Sequence, residues 1–173
     1  MKKLLLVVLL ALGAYVVATD SGKLQFARAW GFITDRPAVE LDFKTLSSRL
    51  DEKEIVRQFS SIRFKCEAEN TELGDRVCYG NISSFNNVPA QYAAFFFKAG
   101  SLFNVKFAIK SEDHAKLVDM LKARYGKWES DSARRDKQDY AIVTWTFNTG
   151  TLAINEVGYG AESTVFWISS RAL

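Results

Sequence analysis

The chain of 173 residues has one histidine, two cysteines and two prolines. These scarcities exclude a good deal. A zinc centre built from histidine and cysteine has only His114, Cys66 and Cys78 to draw on, fewer ligands than such a site needs, so no metal or other cofactor is expected. A Ser-His-Asp or Cys-His arrangement would have to use His114. That residue stands in the first turn of an expected helix beside Glu112 and Asp113, where adjacent side chains diverge around the axis. No glycine-rich phosphate loop is present. The doublets Ser47-Ser48, Ser60-Ser61 and Ser169-Ser170 lack the sharp elbow or nearby lysine that activates a serine. An excess of one charge is missing too. Lysine and arginine number 23 against 20 acids, and without Lys2 and Lys3 the balance is 21 to 20, a net of +1. Nothing there calls for nucleic acid as a partner. Low-complexity stretches are absent, and thirteen phenylalanines with four tryptophans exclude a disordered chain. The expectation is a protein that is not an enzyme. Carboxylates such as Asp42, Glu67 and Glu156 converging in space are the remaining route to a small exported hydrolase, and no spacing in the sequence points to it.

What is present begins at the start of the chain. Lys2 and Lys3 precede an unbroken apolar run from Leu4 to Ala18, followed by Thr19 and Asp20. The run is about 22 Å long as a helix, short against a hydrocarbon core of about 30 Å and well sized for a signal-peptide core. Residues 1–18 are therefore either a signal cleaved between Ala18 and Thr19 or an uncleaved N-terminal membrane anchor. Both place the remainder outside the cytoplasm, with the two lysines inside. Residues 19–37 form a linker or docking segment without clear period, in which Trp30, Phe32 and Ile33 are expected to dock on the body. Residues 38–173 are of a size for one domain.

Export changes how the cysteines are read, because an oxidising compartment favours a bond between them. Cys66 lies in a strand in which Ile62, Phe64, Cys66 and Ala68 alternate with charged residues. Arg76 to Ile82 return as a second strand. If residues 66 and 78 face each other, so do 68 and 76, and residues 70 to 74 make the turn. That register brings Cys66 and Cys78 to disulfide distance.

The remaining elements follow from period and punctuation. Val39, Leu41 and Phe43 alternate with polar neighbours as a strand. Asp51 and Glu54 form a capping box for a short helix, with Leu50 and Ile55 as its hydrophobic staple. A loop from Ser83 to Pro89 leads to Gln91–Lys98, apolar on both faces and so a central strand, and Phe103 to Ile109 alternate behind it. Ser111 is expected to cap a second helix, whose stripe is His114, Leu117, Val118, Leu121 and Tyr125, with Gly126 ending it. A polar loop from Lys127 to Asp139 precedes three strands, Tyr140–Phe147, Leu152–Val157 and Thr164–Ser170. Short turns between consecutive strands imply an α+β fold, a mainly antiparallel sheet of about seven to eight strands with two helices on one face. The order can be cut into two helix-then-strands halves, without any residue-level repeat.

Two surfaces are candidates for a partner. Lys127, Arg134 and Arg135 surround a loop that carries Trp128, a basic setting for one aromatic side chain. Phe85 lies among polar neighbours in the loop from Ser83 to Val88. Asn81-Ile82-Ser83 matches a glycosylation acceptor pattern at a strand end, where an accidental match is expected. The sequence thus describes an exported, periplasmic, non-catalytic binding or inhibitory module for a protein or an anionic envelope component. The alternative is the same domain held at the inner membrane as a scaffold or assembly factor.

Overall fold

A computed structural model describes residues 36–135 and 140–171, with residues 129–135 described as backbone only. The apolar leader, the docking residues Trp30, Phe32 and Ile33, and most of the linker lie outside the described residues. The fold is α+β. Strand β1 (Ala38–Val39) runs parallel to β4 (Ser84–Phe85), which turns back as β5 (Val88–Pro89) in a small three-stranded sheet. Val39, Leu41 and Phe43 are all buried, as their alternation requires, yet the strand stops after two residues. The Asn86 side chain replaces a neighbouring strand, accepting from Leu41 N at 2.9 Å and donating to Leu41 O at 2.8 Å. The segment expected as the loop 83–89 is therefore a hairpin, whose turn residues Asn86 and Asn87 have φ of 46° and 70°. Asparagine tolerates that conformation better than most side chains.

Helix α1 (Glu52–Gln58) carries the full capping box between Asp51 and Glu54 and buries Ile55. Four long strands follow it, β2 (Lys65–Thr71), β3 (Gly74–Asn81), β6 (Tyr92–Lys98) and β7 (Ser101–Lys110). Helix α2 (His114–Tyr125) is followed by four more, β8 (Glu129–Arg135), β9 (Ala141–Phe147), β10 (Gly150–Asn155) and β11 (Glu162–Ser169). They form one eight-stranded sheet in the order β2-β3-β6-β7-β11-β10-β9-β8, every neighbouring pair antiparallel. Three expectations are corrected. The polar stretch after α2 is not a loop but the edge strand β8; with a single neighbour, it needs no apolar alternation to hold it. The turn after β2 is tighter than residues 70 to 74, because Thr71 pairs with Gly74 across a bulge. Ser111 does not cap α2: it opens a 3-10 turn and its hydroxyl donates to Tyr159 O at 3.0 Å.

The two halves, each a helix and a four-strand meander, meet at the seam between β7 and β11. One row of paired residues runs Cys66–Cys78–Phe95–Val105 and crosses to Trp167–Leu152–Trp145. The neighbouring row runs Ser130–Val143–Ile154–Val165 and crosses to Phe107–Ala93–Gly80. A half-turn about the seam carries one row onto the other and exchanges Lys106 with Phe166, which pair with each other. The second half thus sets Ser130 opposite Val143 where the first has its two cysteines.

Both helices contribute to one core on one face of the sheet, where Ile55, Phe59, Leu117 and Leu121 meet Phe95, Phe107, Val143, Trp145 and Trp167. Phe85 lies in this core, stacked on Phe107 with ring centroids 4.1 Å apart. The central strand β6 is apolar on both faces, as expected: Phe95 and Phe97 face the helices, while Ala94 and Phe96 cluster with Val77 on the other side.

Candidate site on the uncovered face of the sheet

Alternation along each strand sends every second side chain away from the helices. On β3 these are Val77 and Tyr79, on β6 Tyr92, Ala94 and Phe96, on β7 Asn104 and Lys106, and on β11 Thr164 and Phe166. Among the described residues no helix or second sheet covers this face. Val77, Ala94 and Phe96 form its floor, packed against Leu73, Tyr79 and Tyr92. Asn104 fixes one border by donating to Leu73 O at 2.9 Å, which ties the β2–β3 turn to the sheet.

Lys106 stands at the centre, beside Phe166. Its ammonium lies 5.1 Å from the centroid of Tyr92 and 6.0 Å from that of Phe166, and 3.1 Å from Glu162 Oε1. The same carboxylate oxygen accepts from the Tyr92 hydroxyl at 3.3 Å and from Thr164 at 3.2 Å. Burial works against the Lys106 charge, but the contacts with Tyr92 and Glu162 outweigh it and hold the ammonium above its ordinary pKa. The cation is therefore fixed and its charge locally balanced.

Two depressions flank this centre. One, of about 480 Å³, has Val77, Ala94 and Phe96 as floor, Tyr79 and Tyr92 as walls, and Glu67 and Glu69 among its lining. Lys65 lies 5.6 Å from the Tyr79 ring centroid and 3.1 Å from Glu67. The other, of about 300 Å³, includes His114, Asn155, Tyr159, Glu162 and Ser163, and shares Phe166 with the first. Here the only histidine is held on both ring nitrogens: Nδ1 is 2.9 Å from Ser163 Oγ, and Nε2 is 3.3 Å from Glu156 O. A Cβ on Gly158 would lie 2.7 Å from that of His114, so the β10–β11 connection closes tightly on α2. The geometry gives His114 the work of holding this connection.

The residues singled out in the sequence are placed as follows. Cys66 and Cys78 are directly opposite and disulfide-bonded, a bond compatible with an extracytoplasmic location. Glu52 lies close enough to form a metal-like triad with them, all within 4.8 Å. Both sulfurs are engaged in the disulfide, however, and Glu52 is bound by Arg76, whose Nη2 donates to Oε1 at 3.1 Å. Trp128 is half-buried, edge-on to Trp145 at 5.8 Å, with the Lys122 ammonium 4.1 Å from its ring centroid. The chain itself therefore occupies much of the indole. Lys127 is exposed beside it, and Arg134 and Arg135 end β8. Phe85, expected at the surface, is fully buried instead, because the hairpin drives it into the core. No described helix is long and apolar enough to cross a membrane. The aromatic face is not among the surfaces that the sequence singles out. Its signal was the alternation of Tyr92, Ala94 and Phe96 opposite Phe95 and Phe97, which reads as a strand covered on both sides. No protein-family model, curated protein or solved structure matches the chain.

Proposed function

We propose that this is an exported, non-catalytic binding module that holds a protein or polymer of the cell envelope against the face of its sheet opposite the helices. The carrying observation is the one-sided layering. Both helices pack on one face, while the other presents Tyr79, Tyr92 and Phe166 around the larger depression, with Phe166 bordering the second as well. A concave surface walled by aromatic side chains suits a binding partner, and aromatic side chains supply contact area at low entropic cost. Strands hold such groups more rigidly than loops do. The apolar leader supports delivery beyond the cytoplasm, whether it is cleaved or kept as an anchor, and the disulfide fits the periplasm.

Photocrosslinking in cells tests the proposal. The photoreactive residue benzoylphenylalanine at position 92 or 166 is expected to give a discrete adduct with an envelope component. At position 56, on the exposed side of α1, it is expected to give none. Equal labelling from all three positions, or none from 92 and 166, would overturn it.

A further inference from the structure

We infer that the larger depression receives a polypeptide segment of a partner protein that presents a lysine or arginine next to a bulky apolar side chain. This rests on the docking role of the sheet face and adds the chemistry of the occupant. The floor of Val77, Ala94 and Phe96 and the rings of Tyr79 and Tyr92 ask for an apolar group. The charges ask for a cation. Lys106, the only cation lining the depression among the described residues, is matched by Glu162 at 3.1 Å, leaving Glu67 and Glu69 to set the sign of the field. Glu67 has Lys65 at 3.1 Å, but the two side chains are 45% and 68% exposed, and such a pair exchanges readily for another. Glu69 has no ion pair among the described residues. An incoming guanidinium or ammonium would find carboxylates at the border, and the apolar side chain beside it would find the floor. The ring faces of Tyr79 and Tyr92 already carry the Lys65 and Lys106 ammoniums, so the preference for a cation rests on the carboxylates. An anionic glycan would meet the same carboxylates as repulsion.

The test titrates the isotope-labelled protein, as isolated from cells, with acetyl-Leu-Arg-Phe-amide, its citrulline analogue, its glutamate analogue and oligogalacturonate, followed by amide NMR. The arginine peptide is expected to shift Tyr79, Ala94 and Phe96 saturably. The citrulline peptide should bind about fivefold or more weakly, and the two anions should give no saturable shift at those amides. In the double variant Glu67→Gln/Glu69→Gln the preference for arginine over citrulline should vanish while the remaining signals stay in place. Equal binding of the three peptides on this face, or saturation by oligogalacturonate there, would overturn the cation assignment and leave the docking face standing. Shifts confined to other surfaces, or none, would overturn both. Binding that emerges only after residues 19–35 are removed would assign the depression to the chain's own segment and overturn the partner.

Discussion

Asn86 does with one side chain what a neighbouring strand would otherwise do. Its amide satisfies both the N–H and the C=O of Leu41 in a buried setting, and its positive φ closes the β4–β5 turn. Replacing Asn86 with alanine leaves two buried backbone groups unpaired, which costs about 2–4 kcal/mol. For a domain of this size that lowers the melting temperature by about 5–15 °C, measurable by thermal circular dichroism. Tyr125 makes a related bridge from α2 to the 3-10 turn at Phe43–Thr45: its hydroxyl accepts from Phe43 N at 3.0 Å and donates to Asp42 Oδ1 at 3.1 Å. Burial, with the Asp42 carboxylate adding to it against the Phe43 N–H, pushes the phenol pKa up to about 12. The folded state thus favours the neutral phenol. Its stabilisation is complete below the ordinary tyrosine pKa of about 10 and is lost as pH rises from there through about 12. Because the ring is only half-buried, the loss is about 1 kcal/mol rather than the full value of the shift. Absorbance titration at alkaline pH should show one late-ionising tyrosine, absent in Tyr125→Phe. Its persistence in that variant would assign the late phenol elsewhere.

Elements whose signals are local were legible in the sequence, and those that depend on a distant neighbour were not. The Asp51–Glu54 capping box and the alternation around Cys66 predicted α1 and the 66–78 register, because each involves residues close in sequence and one repeating geometry. The residues of β8 carry the pattern of a loop, because an edge strand with one neighbour needs little hydrophobic patterning. The alternation after β1 is that of a longer strand, but an asparagine 45 residues away supplies its pairing. The candidate face was hidden for a similar reason. Sequence shows that Tyr92, Ala94 and Phe96 form a second apolar row, but which row the helices cover is settled only by tertiary packing. The strand pair β2–β3 also carries a measurable prediction. Closing a loop with a sequence separation of 12 contributes about 3 kcal/mol in the chain-entropy model. The double variant Cys66→Ser/Cys78→Val copies the Ser130–Val143 pair of the other half. It should keep the fold and lose about 6–12 °C in melting temperature. Intact mass with and without reductant should differ by two hydrogens in the parent protein and not in the variant.

The half-turn relation raises the question of whether the two halves are independent or one cooperative body. Each is a helix with a four-strand meander, a unit that recurs in element order. Each alone would nevertheless expose β7 or β11 as a long edge, and an uncovered edge is a poor end to a sheet. The core decides the matter: Phe85 and Phe95 from the first half and Val165 and Trp167 from the second belong to one buried cluster, and Trp167 pairs across the seam with Val105. Residues that share a core unfold together. Trp128, Trp145 and Trp167 all lie in the second half, whereas the disulfide lies in the first. The Cys66→Ser/Cys78→Val variant is therefore expected to lower the midpoint reported by tryptophan fluorescence as far as it lowers the midpoint from far-ultraviolet circular dichroism. A variant whose fluorescence transition stays at the parent temperature while its circular dichroism transition falls would mean that the second half stands alone. The proposed docking face, which straddles the seam at Lys106 and Phe166, would then be built from two separately folding parts rather than one rigid sheet.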